Sequence, residues 1–163
     1  MTDWSFNKNL VLELLRGVLP QGNLITDHAG LRPYECDGLT AIREQPWLVA
    51  LPETEQQVVS IVRICNEYGV PIVPRGAGTG LSGGARPHEA GVVLGLSKMN
   101  HILEIDPENS VARLEPGVRN LAISEAAAEF GLYYAPDPSS QIACSIGGNV
   151  AENSGGVHCL KYG

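Results

Sequence analysis

The sequence lacks the features that mark several familiar classes of protein. Aromatic residues make up only 6% of its 163 residues, and 11 basic residues face 18 acidic ones, for a formal net charge of −7. A chain this acidic offers no large positive surface, so we expect no nucleic-acid partner. The sequence has no apolar run of about 18 residues and no basic-then-apolar start, which predicts neither a transmembrane segment nor a secretory signal.

The cysteines and histidines lack the spacing of metal or redox sites. Cys36, Cys65, Cys144 and Cys159 form no CxxC pair, and the histidines show neither HxH nor HxxxH spacing. Zinc and thioredoxin-type chemistry are therefore poorly supported, and we predict no metal site. Scattered cysteines in an acidic chain without a signal predict reduced thiols and a cytoplasmic location.

Hydrophobic periodicity predicts an α+β fold in which a small parallel unit precedes a more antiparallel one. The clearest helix covers residues 54–68, because Thr54 and Gln57 have capping-box spacing and Gly69 suits a left-handed end. Short apolar runs at 47–51 and 70–74 flank this helix, which predicts two parallel strands with a right-handed crossover. We also predict three further helices, at 7–18, at 121–130 (capped by Asn120, ended by Gly131) and at 146–152 (capped by Ser145). Further strands are predicted at 91–96, 101–106, 110–114 and 133–135. Residues 20–46 are predicted to form a loop.

Glycine is the residue in excess, and its distribution is informative. The chain has 19 glycines, and five of them lie between Gly76 and Gly84, directly after a predicted strand. A loop so poor in Cβ atoms can adopt positive φ angles and approach a ligand closely. Successive N–H groups can then converge on an anion, so we predict that residues 74–86 (PRGAGTGLSGGAR) bind a phosphate or diphosphate.

Three known motifs can be matched to this loop. The Gly-x-Gly-x-x-Gly pattern that begins at Gly78 requires a following helix, which the sequence does not predict. A P-loop requires lysine where Gly84 stands. The Gly80-x-Ser82-x-Gly84 pattern matches a hydrolase nucleophile elbow, so a serine hydrolase using Ser82 stays open as an alternative, although the helix it needs is missing.

A second segment, residues 136–156 (PDPSSQIACSIGGNVAENSGG), is also rich in small and polar residues. Its serines and Asn149 offer short hydrogen-bonding groups, and Gly147 and Gly148 allow a flat ligand to lie on the backbone. Two such segments in one chain suggest two walls of one site.

These two segments closely resemble the PCMH-type FAD-binding domain of the vanillyl-alcohol-oxidase family of FAD-linked oxidoreductases. The residues that carry the resemblance are PRGAGTGLSGG from Pro74, PDPSSQIACSIGGN from Pro136 and AENSGG from Ala151, supported by WLVALPETEQQV from Trp47. Within the family, the sequence is most similar to the group of glycolate oxidase flavin subunits and D-lactate dehydrogenases. The resemblance assigns residues 47–163 to the FAD-binding domain and leaves 1–46 as an N-terminal helix and extended segment.

The resemblance also implies a set of cofactor-binding residues. Thr79 stands where some relatives carry a histidine that attaches FAD covalently, so the implied FAD is noncovalent. The residues implied to hold the phosphates are Arg75, Gly76, Ala77, Gly78, Thr79, Gly80, Leu81 and Ser82. Those implied to line the flavin side are Pro138, Ser139, Ser145, Gly147, Gly148 and Asn149.

The activity implied by the resemblance is oxidation of a 2-hydroxy acid, such as glycolate or D-lactate, with hydride transfer to the flavin. In this family the base belongs to a second domain, so we expect the chain to be an N-terminal fragment, inactive alone, with its catalytic base beyond residue 163. For the intact enzyme we expect a small-molecule 2-hydroxy acid as substrate and consider an iron–sulfur electron-transfer subunit as a partner. A catalytically silent FAD-binding or interaction module is the alternative from another class.

Overall fold

A four-stranded sheet organises the part of the chain that ends at Leu96. The computed structural model describes residues 6–162 and divides them into this unit and a second one that begins at Ser97. The strand order is β1 (Leu24–Ile25), β2 (Leu48–Ala50), β4 (Val92–Gly95), β3 (Ile72–Arg75). β2, β4 and β3 run parallel, whereas β1 is antiparallel to β2. The parallel unit is confirmed, but β4 separates β2 from β3, so these two strands are not hydrogen-bonded neighbours.

Both faces of this sheet are covered by other elements. Successive residues of its central strands point to opposite sides, so each strand contributes buried side chains to both faces. One face packs against α1 (Lys8–Val18) and α3 (Glu55–Glu67), and the other contacts α2 (His28–Leu31) and Tyr34. Burial raises the pKa of the Cys65 thiol on α3 to about 11, so this thiol stays neutral at physiological pH. The buried residues on the first face are Leu48, Ala50, Val92, Leu94, Val11, Leu15, Leu19, Val70, Ile61 and Cys65.

Helix α3 confirms the capping signal read from the sequence. The Gln57 N–H donates to Thr54 Oγ1 at 3.3 Å, and the Gln57 side chain accepts from the Glu53 N–H at 2.7 Å. Gly69, just past the helix, has a φ of +66°, the left-handed conformation that glycine favours. The local sequence therefore determines both ends of this helix.

The loop predicted over residues 20–46 is wrong in part. It contains β1, α2 and a 3₁₀ turn at Arg32–Tyr34. Asp27 caps α2 by accepting from the Gly30 N–H at 2.9 Å, and Leu31 is buried against the sheet. These elements are too short to produce a visible period and depend on tertiary contacts.

The second unit is built around an antiparallel hairpin of β5 (Ile102–Asp106) and β6 (Val111–Leu114), which confirms the antiparallel expectation. A turn over residues 107–110 joins the two strands. Val118, Ile123 and Ile146 form the buried cluster of this unit. The remaining elements are α4 (Asn120–Ala127), a 3₁₀ turn (Ala128–Phe130), α5 (Ile146–Glu152) and α6 (Cys159–Tyr162).

Two local predictions in this unit are wrong. Residues 133–135 form no strand, and the Tyr134 N–H instead donates to Ser124 Oγ at 3.0 Å. Asn120 is not the cap of α4 but its first residue, since Arg119 takes the extended cap position and Asn120 is buried. The end predicted at Gly131 is confirmed by its φ of +69°.

Candidate functional site

The glycine-rich loop, residues 76–84, follows β3 directly. It leaves the carboxyl end of a parallel strand, the edge at which open α/β sheets bind ligands. Within residues 6–162, no backbone N–H from Gly76 to Gly84 donates a hydrogen bond to another protein group. All of these residues are half-buried or exposed, so their N–H groups are open to a ligand or to water.

Two glycines of this loop have conformations that other residues rarely adopt. Gly78 and Gly83 have φ angles of +73° and +76°. A Cβ atom on Gly78 would also overlap the guanidinium group of Arg75. The chain therefore passes closer to Arg75 than any residue with a side chain would allow.

Arg75 lies beneath the loop and is bound by protein groups. Its Nη1 donates to the carbonyl oxygen of Cys36 at 2.8 Å, and its Nη2 contacts that of Pro33 at 3.4 Å. The guanidinium carbon also lies 5.5 Å from the ring centroid of Tyr34, within cation–π range. These contacts use two of the five guanidinium N–H donors and orient the side chain.

The carbonyl groups that accept from Arg75 belong to a stretch whose role the sequence analysis did not predict. We call residues 33–39 the clamp segment. Within it, a Cβ atom on Gly38 would lie 2.8 Å from the carbonyl oxygens of both Thr79 and Gly80. The one sequence signal was the Asp37–Gly38 pair, which is typical of a turn but does not show what the turn packs against.

The second segment begins with a tight, internally bonded turn. The Gln141 N–H donates to the Pro138 carbonyl at 2.8 Å, and the turn ends at buried Cys144. Asn120 holds it in place, because its backbone N–H donates to the Cys144 carbonyl and its Nδ2 donates to the Pro136 carbonyl, both at 3.0 Å. Asn120 therefore positions this segment, a role that the sequence did not reveal.

Two buried polar atoms at helix α5 lack hydrogen-bond partners among the described residues. Ser145 stands at the predicted N-cap position, but its side chain makes no capping hydrogen bond. Ser145 Oγ and Asn149 Nδ2 are buried and make no hydrogen bond within residues 6–162. Gly147 is packed against Pro116, where a Cβ atom would come within 2.8 Å of the proline ring, and its N–H donates to the Pro116 carbonyl at 2.9 Å. A Cβ atom on Gly148 would lie 3.3 Å from Ser145 Oγ.

The far end of the second segment is closed onto its beginning. The Asp137 N–H donates to the Gly155 carbonyl at 3.2 Å, and Asp137 Oδ1 accepts from the Val157 N–H and contacts His158 Nδ1, both at 3.1 Å. Gly156 has a φ of +70°, and a Cβ atom there would overlap the Asp137 backbone. This closure fixes the path of the second segment.

The predicted binding residues fall into two groups, one in each unit. The structure brings Arg75, Gly76, Ala77, Gly78, Thr79, Gly80, Leu81 and Ser82 together at the end of β3 in the first unit. It places Pro138 and Ser139 in the turn of the second segment, and Ser145, Gly147, Gly148 and Asn149 at the start of α5.

The alternative motifs in the loop lack the structural context that they need. No helix lies between β3 and β4, so neither a dinucleotide fingerprint nor a nucleophile elbow is formed there. The Ser82 hydroxyl makes no hydrogen bond to a histidine in the described part of the chain.

Other chemistries find little support in the side-chain arrangement. Among residues 6–162, no three His, Cys, Asp or Glu side chains are grouped so that they could hold a metal ion. None of the described helices combines the length and apolar character needed to cross a bilayer. All four cysteines are free thiols.

Comparison with known proteins gives a consistent result. A family described as FAD binding domain matches residues 46–163. The glycolate oxidase subunit GlcD of Escherichia coli (strain K12) is 57% identical over 157 residues, covering 96% of this chain and 32% of that protein. The D-lactate dehydrogenase of Anaerostipes hadrus is 34% identical over 100% of this chain and 34% of its own length. A solved structure of alkyldihydroxyacetonephosphate synthase, 22% identical, has the same fold over 100% of this chain and 32% of that one, with a TM-score of 0.86.

The fold and these matches define a class: FAD-binding domains of the PCMH type, found in flavoproteins of the vanillyl-alcohol-oxidase family. The chain belongs to this family of FAD-binding domains, and FAD is its cofactor. It spans about a third of the length of the relatives it matches.

Proposed function

We propose that this chain is the FAD-holding part of an oxidoreductase that oxidises a 2-hydroxy acid of the glycolate or D-lactate type. The observation that carries the proposal is the loop of unpaired N–H groups at residues 76–84 in a chain 57% identical to a glycolate oxidase subunit. The family's FAD domain is proposed to cover residues 47–163. Residues 1–46 are proposed as a separate N-terminal segment, although their β1 pairs with β2.

The residues of the loop fit a diphosphate. Its N–H groups have no protein acceptor within residues 6–162, and the absent side chain at Gly78 lets the backbone pass close to the Arg75 guanidinium. Backbone N–H groups bind anions without added cations, which suits a chain of net charge −7. We propose that the N–H groups of residues 76–82 donate to the phosphates and that the Arg75 side chain packs against the loop and helps to hold it in place.

The second segment fits a ligand with hydrogen-bonding groups and a flat face. Burying Ser145 Oγ and Asn149 Nδ2 without partners costs free energy, and a ligand that bonds them removes this cost. We propose that these atoms, with Pro138, Ser139, Gly147 and Gly148, contact the flavin side of FAD. Thr79 has no ring nitrogen for a covalent link, so the proposed binding is noncovalent.

When bound, FAD supplies the two-electron redox chemistry of the oxidation. The described residues hold and orient the cofactor, and no base is assigned among them. An iron–sulfur electron-transfer subunit is proposed as a partner of the intact enzyme. A cytoplasmic location is proposed on the basis of the four free thiols.

The binding step is tested by titrating the purified protein with FAD, FMN and riboflavin and measuring Kd by quenching of flavin fluorescence. We expect FAD to bind at least about tenfold more tightly than riboflavin, because each lost charge-assisted hydrogen bond costs about 1.5–3 kcal/mol. Equal affinity for FAD and riboflavin would contradict the diphosphate assignment.

The redox step is tested by mixing the FAD-loaded intact enzyme, of which this chain is proposed to be the FAD-holding part, anaerobically with glycolate, D-lactate or L-lactate and following flavin absorbance. Bleaching by a 2-hydroxy acid supports the oxidoreductase. FAD binding without bleaching by any of the three favours the silent module and contradicts the proposed activity.

A further inference from the structure

The glycine loop has few hydrogen bonds of its own within residues 6–162, although the Gly83 carbonyl accepts from the Arg86 N–H at 3.1 Å, just past the loop. None of its N–H groups is bonded within residues 6–162, and two of its glycines have positive φ. Glycine loses more conformational freedom on ordering than any other residue, so an unsupported loop of this kind would be disordered before a ligand arrives. Contacts from elsewhere must therefore determine its conformation.

Those contacts come from the clamp segment, and they reach both ends of the loop. At the start of the loop, the Arg75 guanidinium donates to the carbonyl oxygen of Cys36. Just past its end, the Ala85 N–H donates to Asp37 Oδ2 at 3.4 Å. Cys36 and Asp37 are consecutive, so one short stretch of backbone holds the two ends of the loop.

The centre of the loop rests on the same stretch. Gly38 lies so close to the carbonyl oxygens of Thr79 and Gly80 that a methyl group would not fit between them. The Cδ2 atom of Leu81 also lies 3.0 Å from the position of a Cβ on Gly38. The carbonyl oxygens of Thr79 and Gly80 therefore face the clamp segment.

Asp37 is an unusual residue to find at this point. Its side chain is buried, with 6% of the residue exposed, and no arginine, lysine or histidine nitrogen within residues 6–162 lies close enough to form an ion pair. Its two oxygens accept instead from the backbone N–H groups of Leu39, at 2.9 Å, and Ala85. Burying a carboxylate without a cation is costly, and a neutral residue would avoid that cost.

We propose that Asp37, together with Gly38, is a positioning residue that fixes the glycine loop in its diphosphate-binding conformation before FAD binds. This inference rests on the proposed function of the loop. Asp37 does not touch the cofactor in this scheme. It acts by removing the entropy cost that a mobile loop would impose on binding.

The first test compares Asp37→Asn with Asp27→Asn. Asparagine keeps the size of aspartate but offers only one oxygen, so one of the two N–H bonds to residue 37 is lost. Asp27 also accepts one backbone N–H, from Gly30 in the same unit, but it caps α2 and, within the described residues, makes no hydrogen bond to the loop, so it serves as the control. We expect the Kd for FAD to rise at least tenfold in Asp37→Asn and less than twofold in Asp27→Asn.

Riboflavin separates positioning from general damage. It lacks phosphates, so its Kd should be unchanged by Asp37→Asn if the clamp acts on the diphosphate loop alone. An equal rise in Kd for FAD and for riboflavin would indicate a structural role only and would overturn the proposal. Tighter FAD binding in Asp37→Asn would also overturn it, because the carboxylate would then be acting by repulsion.

A measurement without cofactor keeps this inference distinct from the proposed function. ¹⁵N relaxation of the apoprotein should show ordered amides at residues 76–84, with order parameters of about 0.85, and values below about 0.6 in Asp37→Asn. Gly38→Ala should lower the order parameters in the same way, and it replaces Asp37→Asn as the test if that variant does not fold. Unchanged order parameters in both variants would refute the clamp, whereas wild-type protein that is ordered but ignores FAD would refute only the proposed function.

Discussion

The glycine loop and the second segment are similar in composition but are built in opposite ways. The loop carries unpaired backbone N–H groups and is held by residues 33–39, which are distant in sequence. The second segment bonds much of its backbone to itself and to neighbouring residues, and two of its buried side-chain atoms have no partner within residues 6–162. The first is therefore suited to present backbone donors, and the second to present a rigid surface with a few side-chain groups.

This difference explains why glycine serves different purposes in the two regions. In the loop, Gly78 faces the end of a flexible arginine side chain. In the second segment, Gly156 faces the Asp137 backbone, and Gly147 faces Pro116. Moving the Arg75 side chain costs the contacts that its guanidinium makes, whereas moving the Asp137 backbone would disrupt the hydrogen bonds that close the second segment.

The largest effect should come from Gly156→Ala. The new methyl group would overlap the Asp137 backbone at a φ of +70°, so strain and steric overlap add, and we expect a loss of about 3 kcal/mol or more in the free energy of unfolding. Gly78→Ala, with a φ of +73°, should cost less, about 2 kcal/mol, because only the Arg75 side chain has to shift, at the expense of its hydrogen bond to Cys36. Urea unfolding monitored by circular dichroism measures both.

Gly131→Ala is the matched control for these two variants. Its φ is +69° and nothing lies within 4 Å of a Cβ there, so it isolates the cost of backbone strain at about 1 kcal/mol. If Gly156→Ala proved no more costly than Gly131→Ala, the second segment would be as adaptable as the loop, and the contrast between them would fail.

An intermediate effect is expected at two serines of the second unit, where replacement by alanine should change stability in opposite directions. Ser145→Ala removes a buried hydroxyl with no partner, so it should stabilise the apoprotein by about 1 kcal/mol while weakening FAD binding. Ser124→Ala removes a hydroxyl that accepts from the Tyr134 N–H at 3.0 Å, so it should destabilise by about 1 kcal/mol. Thermal unfolding with and without FAD measures both. Destabilisation of the apoprotein by Ser145→Ala would show that its hydroxyl is already satisfied.

The sequence was sufficient wherever local signals agreed. Helix α3 follows from its apolar period and from the Thr54 cap, and β2 and β4 follow from short apolar runs buried on both faces. Recognition of the loop rested on its glycines, which are needed in any fold that brings a backbone against a phosphate. Where several weak signals coincide in one short stretch, the sequence alone predicts the structure well.

What the sequence could not provide is pairing between distant residues. Asp37 and Ala85 are separated by 48 positions, and no pattern in either stretch connects them. Asn120 was predicted as a helix cap from local preference, but its side chain binds Pro136, 16 positions away. The predicted strand at 133–135 failed for the same reason, because Ser124 of α4 takes the N–H that a strand would need. These residues position the candidate site, which is why the site's ligand groups were foreseen and its supports were not.

The smallest effect concerns pH and the hairpin that lies beside the second segment. Hydrogen bonds from His101, the backbone N–H above all, hold the pKa of Glu115 below its ordinary value, and Glu115 precedes the Pro116 that anchors α5. A lowered pKa in the folded state means that the stabilisation is present above the ordinary value and is lost as the pH falls through the folded one. We therefore expect Glu115→Gln to lower stability at pH 7 but not at pH 2, so that its acid unfolding curve is flatter than that of the wild type. Glu104→Gln, which removes an exposed partner of Arg113, should leave the curve nearly unchanged.

The order of opening at low pH tests whether the two regions are supported independently. The hydrogen bonds between His101 and Glu115 lie within the second unit, so hydrogen exchange at low pH should increase in the second segment before it changes at Ala85. The reverse order would contradict independent support of the two regions.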